Sequence, residues 1–107
     1  MFEIFYTAHF ATVLETLSTD EKDGIINKLN NFKTLSSYIE IEKKEGIAIL
    51  KRLPSENKFE YSYKLDSNSR ILFSLDMQNK KIYIRTLIQR GSIIDSFDKE
   101  EGENERV

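Results

Sequence analysis

Charged and aromatic side chains recur at alternate positions in the second half of the chain, and their types suit phosphate chemistry. Glu60 can accept a proton, and Lys64 can donate one. A guanidinium binds phosphate through two parallel hydrogen bonds, which makes Arg70 and Arg85 candidates for a cationic clamp. Tyr83 offers an aromatic ring on which a nucleobase can stack.

An antiparallel β-meander is the structure that must position these side chains. Four short runs rich in β-branched and aromatic residues are separated by polar turns, and Pro54 ends the first run, Ile47 to Leu53. The polar segments 66–69 and 77–79 have the length and composition of tight hairpin connections. The last three runs are therefore predicted to form consecutive hairpins.

Alternation along these runs predicts one hydrophobic face and one polar face, because successive side chains of a strand point to opposite sides. The hydrophobic face is expected to carry Phe59, Tyr61, Tyr63, Leu65, Ile71, Phe73, Leu75, Ile82, Ile84, Thr86 and Ile88. The other side, called the open face below, is expected to carry Glu60, Ser62, Lys64, Arg70, Ser74, Tyr83, Arg85 and, by the same count, Leu87. A structural reading stays open: these charges are solvated, and Glu60 pairs with Lys64 or with an arginine across the strand.

The first half of the chain predicts a strand and two helices. Residues 2–6 form a short apolar run that adds an edge to the sheet, and Thr7 is a candidate N-cap. The apolar stripe of the first helix consists of Phe10, Val13, Leu14 and Leu17. Ser18 and Glu21 form a capping box that starts the second helix. The apolar side of that helix consists of Ile25, Ile26, Leu29 and Phe32.

These elements predict an α+β fold with an N-terminal strand, an αα-hairpin and an antiparallel β-meander. The helices are expected to pack on the hydrophobic face, since no other surface is large enough to cover their apolar stripes. Residues 35–45 are interpreted as a connector.

Length and composition favour a single domain at residues 1–97, since 107 residues with 39% hydrophobic content support one core. The tail 98–107 is acidic and almost without apolar side chains, which predicts disorder. Cysteine is absent and His9 cannot form a conventional zinc site alone, so we expect no metal and no other cofactor. Without a secretory leader or an apolar run near the roughly 20 residues that cross a bilayer, the protein is expected to be cytoplasmic.

The net charge of −2 hides a cationic sheet region. Residues 47–94 hold nine basic and four acidic side chains, whereas both flanking segments are acidic. A sheet with this excess can contact phosphates locally. The acidic overall balance argues against avid non-specific binding to nucleic acid.

Short segments of the meander carry a recognisable pattern. They are Tyr61-Ser62-Tyr63-Lys64-Leu65, Arg70-Ile71-Leu72-Phe73, Ile82-Tyr83-Ile84-Arg85, Gln89-Arg90-Gly91 and, before them, Lys51-Arg52-Leu53-Pro54. Together with the order of elements, these segments resemble the RelE/ParE superfamily of bacterial toxin–antitoxin modules. The resemblance implies a fold of the microbial RNase type. It also implies a toxin that a cognate antitoxin protein neutralises.

The resemblance assigns roles to individual residues. It implies that Arg70 contacts the scissile phosphate and that Lys64 and Arg90 belong to the same catalytic site. It also implies that Lys51 and Arg52, on the basic approach to the hairpin, bind substrate. RelE-like members enter the ribosomal A site and cleave mRNA, whereas ParE-like members inhibit DNA gyrase.

Two positions depart from the RelE-like pattern. Ser62 stands where these proteins have a second lysine, and no tyrosine follows Arg90 at the expected spacing, where Phe97 is the nearest aromatic residue. A gyrase inhibitor without RNase activity and a catalytically silent binding module are therefore alternatives. The partners to expect are the antitoxin, together with the ribosome and mRNA or, for the alternative, gyrase; a homodimer is also open.

Metal-independent RNA cleavage by the 2′-hydroxyl needs a base, an acid for the leaving oxygen and cations for the charge on phosphorus. Glu60 is the candidate base, and Lys64 either lowers the pKa of Glu60 or acts as the acid. Arg70 and Arg85 are the candidate cations. The resemblance to RelE-like proteins implies dependence on the ribosome, and together with this chemistry it predicts a ribosome-dependent mRNA endonuclease whose site lies on the open face.

Overall fold

The computed structural model describes residues 1–89, and these residues form an α+β domain. Arg90, the predicted end of the domain at 97 and the acidic tail lie outside the described residues. Within residues 1–89, no helix is both long enough and apolar enough to span a membrane. The elements are β1 (Glu3–Tyr6), α1 (Ala8–Glu15), α2 (Thr19–Asn30), α3 (Tyr38–Glu42), β2 (Ile47–Leu53), a short 3-10 turn (Pro54–Glu56), β3 (Lys58–Lys64), β4 (Ser69–Asp76) and β5 (Lys81–Gln89).

The five strands form one sheet with the order β1-β5-β4-β3-β2. Strands β2 to β5 pair with their chain neighbours in antiparallel fashion, so the predicted meander is confirmed. Strand β1 adds an edge, as predicted, and it lies parallel to β5 with Phe5 opposite Tyr83. Strand β2 forms the opposite edge.

Capping side chains fix the starts of the first two helices. The Thr7 hydroxyl accepts a hydrogen bond from the backbone N–H of Phe10, at the start of α1. At the start of α2, Ser18 and Glu21 form both hydrogen bonds of the capping box. Because only three residues separate α1 from α2, the predicted αα-hairpin is confirmed.

The segment 35–45 was expected to be a connector, but it contains the short helix α3. The Ser37 hydroxyl caps this helix by accepting from the backbone N–H of Glu40. Ile41 is fully buried. A helix of five residues is too short to be stable by itself, so the burial of Ile41 must stabilise it.

The core lies between the helices and the hydrophobic face of the meander. Phe32 of the region after α2 packs edge-on against Tyr63 at 4.9 Å between ring centroids and also contacts Phe73 at 5.5 Å. The helical side contributes Phe10, Leu14, Ile25, Leu29, Phe32 and Ile41, and the sheet contributes Phe59, Tyr61, Ile71, Phe73, Leu75, Ile82 and Ile84. The predicted faces of β3 and β4 are confirmed by this core.

The predicted faces of β5 are wrong beyond Ile84. Phe73 pairs with Ile84, but Leu72 pairs with Thr86, so Arg85 is an extra residue that forms a β-bulge. The bulge reverses the alternation: Leu87 packs against the core. Thr86, and with it Ile88, shares the open face with Leu72 and Arg70, their partners in β4.

Candidate functional site

The sheet register brings Lys64 and Arg70 together on the open face. Lys64, at the end of β3, is the direct partner of Arg70 in β4. Directly opposite residues have Cβ atoms about 5 Å apart and point to the same side. Lys64 is exposed and Arg70 is half-buried. Two cations of the predicted site therefore lie side by side at one end of the sheet.

The Arg70 side chain is held by two hydrogen bonds that cross β3. Its Nε donates to the hydroxyl of Ser62 at 3.0 Å, and one terminal nitrogen donates to the carbonyl of Gly46 at 3.1 Å. A guanidinium has five N–H donors, so within residues 1–89 three donors stay free to bind a ligand. Both contacts fix the position of the cation before a ligand arrives, which is the preorganisation that electrostatic catalysis requires.

Ser62 was predicted on the open face and as a departure from the RelE-like pattern, and the structure gives it a hydrogen-bonding role. It is the one buried polar residue in the described part of the chain, with 6% of its surface exposed. Its hydroxyl accepts from Arg70 and so has a partner, as a buried polar group requires. A hydroxyl here positions the arginine. Nothing in the sequence signalled this contact, since it depends on the register of β3 against β4.

Glu60 and Lys64 flank Ser62 on the same strand. Each is two residues away on the open face, which is about 7 Å along a strand, so the Cα atoms of Glu60 and Lys64 are about 13 Å apart. The direct ion pair considered between them is absent in the described residues, and Glu60 makes no ion pair there with an arginine either. The guanidinium of Arg70 reaches Ser62 and thus lies between the predicted base and the predicted acid.

Arg85 does not join this group. It is the bulged residue of β5, exposed, and β4 separates it from Ser62. A hydrogen bond joins the bulge to the residue before α1: the hydroxyl of Thr7 donates to the carbonyl of Arg85 at 3.0 Å. Arg85 therefore sits one strand away from the scaffold around Arg70.

His9 lies closer to the open face than its sequence position suggested. Its Nε2 is 3.0 Å from the hydroxyl oxygen of Thr86, the residue after the bulge. The parallel pairing of β1 with β5 carries the start of α1 to this edge. The sequence could not show this neighbour, because the contact needs both the parallel edge strand and the bulge.

Tyr83 lies on the open face beside the N-terminal edge strand. Its ring stacks on Phe5, with ring centroids 5.7 Å apart and planes inclined by 26°. The Lys81 ammonium lies 5.2 Å from the centroid of the Phe5 ring, within the range of a cation–π contact. Phe5 is 39% exposed. The predicted stacking residue is thus part of a pair of aromatic rings with an adjacent cation.

Lys51 and Arg52 lie on opposite faces of β2. An extra residue, Leu50, shifts the register of this edge strand, and Lys51 then pairs with Glu60 on the open face. Arg52 pairs with Phe59, whose side chain belongs to the core. Alternation therefore brings Lys51, but not Arg52, to the predicted site.

Arg52 instead takes part in a polar cluster on the helix side of the sheet. It forms an ion pair with Glu42 of α3 at 3.1 Å, and the hydroxyl of Tyr61 donates to the same carboxylate at 2.6 Å. Burial, together with this hydrogen bond, raises the pKa of Tyr61. The cluster joins α3 to β2 and β3. Arg90, the remaining predicted site residue, lies outside the described residues.

Comparison with known proteins shows the fold. The chain matches no protein-family model and no curated protein sequence. Its structure is similar to the crystal structure of the archaeal RelE–RelB complex from Pyrococcus horikoshii OT3. The TM-score is 0.67 and the sequence identity 17%, over 84% of this chain and 96% of that chain. The RelE-like fold that the sequence resemblance implied is therefore confirmed.

Proposed function

We propose that this protein is the toxin of a toxin–antitoxin module and acts as a ribosome-dependent mRNA endonuclease. The RelE-like fold supports the first part. One observation supports the second: the Arg70 guanidinium is fixed over Ser62, with Glu60 and Lys64 on either side along β3. This is an arrangement in which a phosphodiester can be bound between a base and an acid.

In the proposed reaction, the 2′-hydroxyl oxygen attacks phosphorus and the bond from phosphorus to the 5′ oxygen breaks. Glu60 accepts the proton of the 2′-hydroxyl, and the Lys64 ammonium donates a proton to the leaving 5′ oxygen. The products are a 2′,3′-cyclic phosphate and a 5′-hydroxyl. Attacking and leaving oxygens lie on opposite sides of phosphorus in an in-line displacement. The Cα atoms of Glu60 and Lys64 are about 13 Å apart, so the two side chains would extend toward Ser62 from opposite directions to reach these oxygens.

Arg70 binds the phosphate between them and stabilises the charge that develops on its oxygens. Its three free donors allow a bidentate contact, and its two protein contacts keep it from moving during the reaction. Electrostatic stabilisation of this kind is worth roughly a hundredfold to a thousandfold in rate. Ser62 acts through Arg70 and is a positioning residue.

Other open-face residues are proposed to bind the flanking nucleotides. The stacked rings of Tyr83 and Phe5 offer an aromatic surface to a base, and stacking of this kind tolerates any sequence. Lys51 and Arg85 add positive charge on the two sides of the central strands. Contacts to phosphates and bases together would orient a single strand across the sheet.

We also propose a protein antitoxin as the partner, since the structurally similar RelE occurs in a complex with RelB. The β2 edge offers a surface for it, because Ile49, Leu50 and Leu53 are 41–56% exposed there, with Ile39 of α3 nearby in sequence. An edge strand with exposed apolar side chains can accept a segment of a partner. Co-expression of the antitoxin should then abolish growth arrest by the toxin.

The test is mRNA cleavage in a reconstituted translation reaction, with and without ribosomes. We expect the wild type to cut only ribosome-bound message and Arg70→Ala to lose this activity by a hundredfold or more. Arg85→Ala, which removes an arginine outside the Ser62 group, is the matched comparison and should lose much less. If the wild type does not cut while its induction still stops growth, the nuclease proposal fails and gyrase becomes the target to assay.

A further inference from the structure

A cationic cleft adjoins the Arg70 site at the end of the sheet. It has a volume of about 420 Å³ and lies where α2, the turn between α3 and β2, and the β3–β4 hairpin meet. Three lysines from these three elements line it: Lys28, Lys44 and Lys64. Lys28 and Lys44 belong to no motif of the sequence and have no part in the reaction proposed above.

The positive charge of this cleft is not neutralised by ion pairs. In the described part of the chain, none of the three lysines lies within 4.0 Å of a carboxylate. Two carboxylates also line the cleft, but that of Asp66 accepts from the backbone N–H of Asn68 at 2.7 Å and is engaged in its own turn. Glu45 is the other. The lining therefore carries an excess of one positive charge beside Arg70.

Lys28 is fixed at the cleft by the backbone. Its ammonium donates to the carbonyl of Leu65, at the base of the β3–β4 hairpin. An ammonium has three donors, so two are left to bind an anion. This contact holds the lysine of α2 against the end of the sheet and reduces the conformational entropy that a flexible lysine would lose on binding.

Gly46 connects the cleft to the Arg70 site. Its carbonyl accepts from both the Arg70 guanidinium at 3.1 Å and the backbone N–H of Lys64 at 2.9 Å. Its φ of +90° is a conformation that favours glycine, and a Cβ here would lie 3.4 Å from the Cβ of Lys64. The backbone at Gly46 thus passes close to Lys64, and Gly46 both contacts Arg70 and lines the cleft.

We propose that this cleft binds a second phosphate of the same RNA strand, next to the phosphate held at Arg70. The proposal rests on the proposed nuclease function and gives its substrate a direction: the strand continues from Arg70 past Gly46 toward Lys44 and Lys28. The ligand class is a phosphodiester of single-stranded RNA. A polar cleft with several free ammonium donors suits a phosphate oxygen better than a base.

Binding of short RNA tests this proposal. The probe is a trinucleotide with 2′-O-methyl groups, which block cleavage, and affinity is measured by NMR titration of the purified protein. Two further probes carry a neutral methylphosphonate at one or the other linkage. With the wild type, each neutral linkage should weaken binding roughly threefold to fivefold, the value of one partly exposed charge contact.

In the double variant Lys28→Gln/Lys44→Gln, a neutral methylphosphonate should still weaken binding at the linkage bound by Arg70. At the other linkage it should no longer weaken binding. Lys22→Gln/Lys33→Gln removes the same charge from residues that do not line the cleft, and it should behave as the wild type does. Glu45→Gln should tighten binding of the unmodified trinucleotide. Equal sensitivity of the Lys28/Lys44 variant and the wild type to both neutral linkages would overturn the proposal.

The failure of this proposal is distinguishable from failure of the proposed function. If wild-type binding responds to only one linkage while ribosome-bound message is still cut in an Arg70-dependent way, the second phosphate subsite is wrong and the nuclease stands. If no trinucleotide binds, the subsite is overturned as well, and the cleavage assay decides the function independently.

Discussion

The Nε atom of Arg70 lies 3.0 Å from the hydroxyl oxygen of Ser62, across the pairing of β4 with β3. Ser62, a departure from the RelE-like sequence pattern, thus contacts the central arginine of the candidate site. Because Ser62 is buried, the hydroxyl is shielded from water and its hydrogen bond to a cation is of the stronger kind. The position of the guanidinium therefore depends on one side-chain oxygen and one backbone carbonyl.

Removing that hydroxyl should weaken catalysis without removing the arginine. Ser62→Ala leaves Arg70 with only the Gly46 carbonyl as a partner, so we expect kcat for mRNA cleavage to fall roughly tenfold, the value of one hydrogen bond to a charged group. Ser62→Thr keeps the oxygen and should retain most of the activity. Equal activity of the alanine variant and the wild type would show that Arg70 needs no support from this residue.

We expect that a lysine cannot replace Arg70 in the proposed reaction. Its ammonium is a point charge without the planar fork, so it cannot contact Ser62, Gly46 and a phosphate in one geometry. Arg70→Lys should bind a short 2′-O-methyl RNA nearly as well as the wild type but lose at least tenfold in cleavage rate. The comparison of binding with rate matters here, since equal losses in both would assign Arg70 a purely binding role.

Glu60 and Lys64 should act as separate groups. Their Cα atoms lie about 13 Å apart along β3, so each side chain should act on a different oxygen of the substrate. Replacing either residue should lower the cleavage rate, and the double variant should be no more active than either single variant. Glu60→Gln is expected to slow the step that needs a base, by roughly a hundredfold. A message with a better leaving group at the 5′ oxygen should rescue Lys64→Gln but not Glu60→Gln. Rescue of both variants, or of neither, contradicts these assignments.

The cluster on the helix side makes a prediction about stability and pH. Burial and the Glu42 hydrogen bond raise the pKa of Tyr61 above its ordinary value near 10. As the pH rises past 10, the unfolded chain loses this proton first and binds fewer protons than the folded chain, so the stabilising contribution is present below pH 10 and lost above it. Tyr61→Phe should therefore flatten the alkaline fall in the free energy of unfolding measured by urea denaturation.

At neutral pH, the same substitution leaves the Glu42 carboxylate with Arg52 as its remaining partner. We expect Tyr61→Phe to lower the free energy of unfolding by about 1–3 kcal/mol, because one oxygen of the largely buried Glu42 carboxylate loses its hydrogen-bond donor. An alkaline stability profile identical to that of the wild type would contradict the role of Tyr61.

The sequence predicted the elements whose signals are local. Ser18 and Glu21 form the capping box that their spacing indicates, and the alternation in β3 and β4 assigned Tyr61 and Phe73 correctly to the core. A helix start and a strand face depend on neighbours along the chain. Most of the fold could therefore be predicted from the sequence without knowledge of its tertiary contacts.

The residues that sequence reasoning missed or misplaced depend on long-range register. Leu87 and Ile88 are both apolar, so nothing in the sequence revealed the bulge at Arg85 that exchanges their faces. The extra residue Leu50 in β2 likewise could not be foreseen, although it determines that Lys51 reaches the open face and Arg52 does not. A bulge is stabilised by the strands on each side of it, and a single-residue shift reverses every following side chain.

The central claim is that a site centred on Arg70 cuts RNA by attack of the 2′-hydroxyl. The most direct test uses ribosome-bound message in which the nucleotide before the cut carries either a 2′-hydroxyl or a 2′-hydrogen. We predict that the wild type cuts only the ribonucleotide, leaving a 2′,3′-cyclic phosphate, and that Arg70→Ala cuts neither. Cleavage of the 2′-deoxy message by the wild type, or undiminished cleavage by Arg70→Ala, would contradict the claim.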